Sequence, residues 1–198
     1  EPGPRPGDAA THGDAARVRA LHDGGADANA ASEYGATALH FASDKGHVEI
    51  VRLLLAHGAK ADAKDTFYGA RPADFAGMKG HGEILKLLAQ AGADVTDGLN
   101  AAAQTGKVDA VRPLLDAKML SDKQLTMLLT LAKGAEQAEL VKLLEAAGAK
   151  PLPPANAKVD PAVLASYAGS YEASTGMRVT ISLSAGGALQ LGFGEGPP

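Results

Sequence analysis

The chain has 198 residues, a formal net charge of −4 and a pI near 5.8, with 45% hydrophobic and 21% charged residues. These values fit one globular domain with a small appendage, exclude wholesale disorder, and leave no basic surplus for neutralising nucleic-acid phosphates. There is no Cys and no Trp, and aromatics make up only 4%, which excludes disulfides, thiolate zinc sites, iron–sulfur clusters and a Cys nucleophile. Alanine takes about a fifth of the chain, a composition that suits closely packed helices. No apolar run reaches the roughly 18 residues of a membrane span. The opening Glu1-Pro2-Gly3-Pro4-Arg5-Pro6-Gly7 fits a mature protein after removal of an export signal, and fits a trimmed chain equally. Export to the periplasm or the extracellular space is favoured over a cytoplasmic location.

In chain order, the first pattern is Ala9-Ala10-Thr11-His12-Gly13-Asp14, then Val18, Leu21 and Gly25-Ala26-Asp27. A sharper copy follows: Gly35-Ala36-Thr37-Ala38-Leu39-His40, Gly46-His47-Val48-Glu49-Ile50-Val51, Leu53-Leu54-Leu55 and Gly58-Ala59. About 34 residues later it returns as Gly69-Ala70-Arg71-Pro72-Ala73-Asp74, Gly80-His81-Gly82-Glu83-Ile84-Leu85, Leu87-Leu88 and Gly92-Ala93-Asp94. Two looser copies run from Ala101 through Val111 and from Glu139 through Ala149. Each copy predicts a short helix, a Gly turn, a second helix and a Gly-terminated exit into an extended finger. Val48, Val51, Leu54 and Leu55 form the predicted apolar stripe of one second helix. Gly46, Gly80 and Gly106 end the first helices, and Gly58, Gly92 and Gly148 the second, where a left-handed residue is needed. The finger between Gly58 and Gly69 is one residue longer than that between Gly25 and Gly35. After Gly92 the finger is nearly deleted, since Asp94-Val95-Thr96-Asp97-Gly98 leads straight into a helix. Ser121 is the expected N-cap of the last unit.

These motifs, T-x-L-H, G-H-x-E-I-V, L-L and G-A-D in order and repeated, resemble the ankyrin repeat over residues 8–150. The resemblance implies a mainly α fold, an ankyrin-repeat solenoid of about five units in which neighbour stacking supplies stability. It implies structural roles for His40, His47 and His81, and a loss of the His40-type hydrogen bond in the unit where Asp74 stands at that position. It also implies a non-catalytic scaffold that binds a protein partner through finger tips and the exposed ends of the first helices. Carried over by position, the partner-binding residues are Glu33, Tyr34, Ala36, Asp44, Lys45, Phe67, Tyr68, Ala70, Met78, Lys79, Gln104 and Thr105. Tyr34, Phe67 and Tyr68 are three of only eight Phe and Tyr residues; scarce aromatics on projecting loops are typical of interface anchors. The other reading of Phe67 and Tyr68 is that they pack on the neighbouring finger.

Residues 151–161 read as a Pro-rich linker, and 162–198 as a short antiparallel β-tail. Period-two alternation marks strands at 177–184 and 188–193, with turns at Ser174-Thr175-Gly176 and Ala185-Gly186-Gly187. The string L-x-x-Y-x-G-x-Y from Leu164, followed by G-G and L-x-L, resembles the start of a small β-barrel domain appended to exported serine-hydrolase and peptidase-like proteins. The barrel is incomplete, so its edge would be open. Two alternatives therefore stand beside the scaffold: an exported self-assembling protein pairing through residues 177–193, and an accessory domain of a longer exported enzyme. Asn156 is the one turn candidate inside the linker, which favours pairing between chains over folding back. No catalytic residue, cofactor or metal site is expected. No S-x-x-K or G-x-S-x-G occurs, and the six His lack ligand-like spacing.

Overall fold

The computed structural model describes residues 6–152 and three strand segments at 169–172, 177–183 and 189–195. The chain divides into two compact units, Glu1–Leu152 and Pro153–Pro198. Among the described residues the first holds five helix pairs: α1 (Pro6–His12) with α2 (Ala15–Asp23), α3 (Ala38–Lys45) with α4 (Val48–Ala56), α5 (Pro72–Lys79) with α6 (Gly82–Gln90), α7 (Thr96–Thr105) with α8 (Val108–Asp116), and α9 (Asp122–Gly134) with α10 (Ala138–Ala146). The first helix of each pair packs on the first helices of its neighbours, and the second on the second, giving two stacked layers.

One core runs through the stack, built from Ala, Val, Leu and Ile. Leu39, Ile50, Leu54, Ile84, Leu88, Leu114, Leu129, Leu140 and Leu144 are buried. Within residues 7–152 no Phe or Tyr is fully buried. The stripe expected on α4 holds at Val51 and Leu54 and gains Ile50. Ile50, Val51 and Leu54 are buried, whereas Val48 and Leu55 are half-covered. The 100° step of the helix sets Ile50 and Leu54 one above the other, against the facing units.

The turns repeat one device. Gly46, Gly80 and Gly106 close the first helices at φ of 79°, 88° and 68°. Over the ends at Gly13, Gly46 and Gly106 lies a hydrogen-bonding side chain from the next unit. His47 Nε2 pairs with the Thr11 carbonyl at 3.3 Å and His81 Nε2 with that of Asp44 at 3.2 Å. In the last unit, Gln137 Nε2 donates to the Gln104 carbonyl at 3.3 Å. Each contact satisfies a carbonyl at or beside a helix end, one that would otherwise lack a partner, and ties one unit to the one before.

Fingers connect the first three pairs. In the finger leading into the second pair, hereafter the second finger, Ser32 N–H donates to the Ala36 carbonyl, and in that leading into the third pair, the third finger, Asp65 N–H donates to that of Ala70. The extra residue expected in the third finger is thus accommodated in its loop. Thr66 N–H donates to the Tyr34 carbonyl at 2.8 Å, joining the two fingers. Between α6 and α7 the finger is absent, and the pairs close up. A Cβ on Gly77 would overlap the Gly98 carbonyl, a Cβ on Gly98 the Ala73 carbonyl, and a Cβ on Gly82 the Asp109 carbonyl. Ser121 caps α9, accepting from Gln124 N–H at 3.3 Å.

In the second unit, β1 (Gly169–Glu172), β2 (Met177–Leu183) and β3 (Leu189–Glu195) form an antiparallel sheet in the order β1-β2-β3. Its register places Tyr171, Val179 and Phe193 in one cross-strand row. The predicted linker beyond Leu152, the turns at 174–176 and 185–187, and most of the barrel-like motif lie outside the described residues.

Candidate functional site

Local chemistry builds the two fingers differently. In the second, Ser32 Oγ accepts from Ala36 N–H at 3.2 Å, and an antiparallel bridge pairs Ala31 with Thr37. In the third, Asp65 folds its carboxylate onto its own loop: Oδ1 accepts from Phe67 N–H at 3.0 Å and from Tyr68 N–H at 2.7 Å. This is the turn an Asp imposes on the residues that follow it. Burial of the Asp65 carboxyl works to raise its pKa, but the Tyr68 and Phe67 N–H donors outweigh it and hold the group below its ordinary range.

That loop pushes Phe67 and Tyr68 outward. They are 66% and 79% exposed, and Tyr34 on the adjacent finger is 57% exposed. The rings nevertheless touch. Phe67 stands edge-on to Tyr34 at 6.1 Å between centroids and to Tyr68 at 4.5 Å, with interplanar angles of 81° and 85°. Phe67 packs on the neighbouring finger, and the cluster still presents most of its surface to solvent. Beneath it lies an open cavity of about 370 Å³ lined by Tyr34, Ala36, Asp65, Phe67, Tyr68 and Phe75. A second cavity of about 400 Å³, lined by Lys60–Ala63 and Ala91–Ala93, has no aromatic in its wall.

Of the residues proposed from sequence, Tyr34, Ala36, Phe67 and Tyr68 come together here, with Glu33 exposed beside Tyr34. A separate group sits at the far end of the first helices. Lys45 Nζ lies 2.9 Å from Asp44 Oδ2, and Lys79 Nζ lies 3.8 Å from Asp44 Oδ1, with Met78 exposed alongside. The eight-residue α3 puts about 12 Å of helix between the two groups. Gln104 and Thr105 are exposed at the end of α7, where the Gln104 carbonyl is taken by Gln137 and the Thr105 hydroxyl by the Ala101 carbonyl. Ala70 contributes its backbone, since its carbonyl accepts from Asp65 N–H and pairs with His40 Nε2.

His40 is the hinge pin between helix and finger. Its Nδ1 accepts from Thr37 N–H at 3.1 Å, so Nδ1 carries no proton, and Nε2 donates to the Ala70 carbonyl at 3.2 Å. Only the neutral ring satisfies both, and burial lowers its pKa against weaker pulls from Ala70 and Asp65. In the next unit the helix-capping half of this role is retained, contrary to the sequence expectation. Asp74 Oδ2 accepts from Arg71 N–H at 2.8 Å, the same i+3 contact made by a carboxylate. The reach to a following finger is lost, because that finger is missing. Burial raises the Asp74 pKa, and its Oδ1 is buried without a partner.

Arg71 compensates for the missing finger. Its mostly covered guanidinium lies 3.3 Å from Asp94, 3.6 Å from Asp97 and 3.8 Å from Asp62, clamping the start of α7. Hydrogen bonds from Thr96, first its hydroxyl and then its N–H, together with Arg71 hold Asp94 below its ordinary range.

Sequence reasoning missed Asp65 and Phe75 as walls of the cavity. The Asp two residues before Phe67 is a turn signal and could have flagged the first; Phe75 reaches the site only through packing.

Residues 7–98 match the family model of ankyrin repeats (3 copies). The three ankyrin repeats therefore include both fingers, His40 and the whole aromatic cluster. The helix pairs α7–α8 and α9–α10 continue the same stacking beyond the matched span. A 48-residue stretch is 54% identical to the 2-5A-dependent ribonuclease of Mus musculus, covering 24% of this chain and 6% of that protein. Ankyrin repeats are generally non-catalytic and indicate a protein–protein interaction scaffold. The family match ends at residue 98 and lends no support to the barrel-like resemblance. No helix among the described residues is long and apolar enough to cross a membrane.

Proposed function

We propose that this chain is a binding scaffold whose ankyrin fingers grip a partner protein at the Tyr34–Phe67–Tyr68 cluster. One observation carries the reading. The core is filled by aliphatic side chains, while three exposed rings gather on two adjacent finger tips. Aromatic side chains placed in water at a cost in solvation, and held rigid by each other and by the Asp65 turn, are what an interface anchor requires. Asp44, Lys45, Met78 and Lys79 form a second, polar contact zone along the same first helices.

The test is a titration of a purified partner against the wild type and the Tyr34→Ala, Phe67→Ala double variant. Affinity should fall by about 2 kcal/mol or more, roughly 30-fold, while the thermal midpoint stays near that of the wild type. Unchanged affinity would remove the fingers from the interface.

A further inference from the structure

Asp65 is among the residues lining the cavity under the fingers. Asp65 is only 7% exposed, yet none of the ion pairs among the described residues uses it. The nearest titratable neighbour acting on it is His40, whose two hydrogen bonds need a neutral ring. Arg71, the guanidinium closest in sequence, is committed to Asp62, Asp94 and Asp97. The strongest pull holding Asp65 below its ordinary range comes from main-chain N–H groups, with Tyr68 and Phe67 both donating to Oδ1. Around it stand four rings, Tyr34, Phe67, Tyr68 and Phe75, of which Phe67 is roughly perpendicular to both tyrosines.

Ring faces carry partial negative charge, and a cation over them is attracted more strongly as water is displaced. A buried negative charge in the same wall adds to that field. An apolar partner side chain would use the rings but leave the carboxylate desolvated and unpaired. An anionic one would be repelled. A cationic side chain satisfies both, laying its methylene stem along the rings and its head toward Asp65. The volume of about 370 Å³ and the open mouth suit one long side chain entering from a polypeptide.

We propose that the finger cavity receives a cationic side chain, a guanidinium or ammonium head, from the partner protein. The proposal rests on the scaffold reading above and adds the chemistry of its central contact.

The experiment titrates the isotopically labelled full chain with Nα-acetyl-arginine N-methylamide, its lysine counterpart and its citrulline counterpart, followed by amide chemical shifts. Citrulline keeps the shape of arginine and removes its charge. The arginine or lysine probe should shift the amides of Tyr34 and of residues 65–68 and bind about tenfold more tightly than citrulline; whichever of the two binds better identifies the head group. Asp65→Asn should abolish that preference while preserving the finger, since the asparagine carbonyl still accepts from Phe67 and Tyr68 N–H. Tyr68→Leu, at an exposed position that does not endanger folding, should weaken the cationic probe several-fold and citrulline less. Equal binding of arginine and citrulline, or a preference that survives Asp65→Asn, overturns the proposal. Such a result leaves the finger surface available to an apolar partner, whereas the double variant of the preceding section tests the surface itself.

Discussion

A close approach of main chains in the stack makes a sharp demand on sequence. Gly77 lies inside α5 and Gly98 in the first turn of α7, and each faces main-chain carbonyl atoms of the opposing helix. Replacing either by Ala gains about 1 kcal/mol of helix propensity. Against that, inserting a methyl into a filled interface costs about 1–3 kcal/mol, and here the upper end applies because a carbonyl cannot swing aside as a side chain can. The net expectation for Gly77→Ala or Gly98→Ala is a loss of about 1–2 kcal/mol. Gly134, at the end of α9, supplies the control, since a Cβ there meets nothing within 4 Å. Gly134→Ala should be neutral or should stabilise by up to about 1 kcal/mol. Urea denaturation followed by far-ultraviolet circular dichroism reads all three, with the slope of each transition checked for constancy. If Gly77→Ala and Gly98→Ala prove as stable as Gly134→Ala, α5 and α7 do not meet as described. The account of the missing finger as a close-packed junction then fails with them.

The repeating frame was legible because its signals are local. Glycines at fixed spacing end helices whatever surrounds them, and their positive φ at Gly46, Gly58, Gly80, Gly92, Gly106 and Gly148 follows from sterics alone. The deleted finger before α7 was legible for the same reason, as a gap in the count. What escaped depends on function served by a different residue type. Reading Asp74 as a lost histidine overlooked that a carboxylate three residues after the N-cap accepts the same N–H. The face-to-face glycines are visible in the sequence as two poor helix formers, yet only the packing shows that each makes room for the other's helix. For the site, scarce aromatics between predicted helices pointed to the finger tips. The cavity required knowing that Asp65, from the loop, and Phe75, from α5, both line it. The Asp44 group stands apart from the fingers by the length of α3.

Leu54 and Leu88 are wholly buried at equivalent positions of successive units. Truncating either to Ala should cost about 2–5 kcal/mol in the same urea assay, and a loss below about 1 kcal/mol would show that the second helices do not pack as observed. His40 supplies the last test, through pH. Its folded pKa lies below the unfolded value of 6.5 because the ring is buried neutral. The unfolded chain therefore binds the extra proton first as pH falls. By linkage, the stability that His40 contributes is complete above about pH 6.5 and declines below it, until the folded pKa is reached. Protonation would place a hydrogen on Nδ1, facing the Thr37 N–H that now donates to it. Holding the ring neutral at every pH removes this slope, so a His40→Gln variant should be less stable at pH 8 and should lose less than the wild type between pH 7 and pH 5.5. The carboxylates do not confuse the comparison. Asp65 and Asp94 are held below their ordinary range, so their stabilising contributions disappear only at lower pH, as it falls through the folded values. Asp74 is raised and acts with the opposite sign, but it is present in both proteins. Parallel stability curves for the two proteins from pH 8 to pH 5.5 would mean that His40 titrates freely, and that the link from α3 to the third finger is not made by a buried neutral ring.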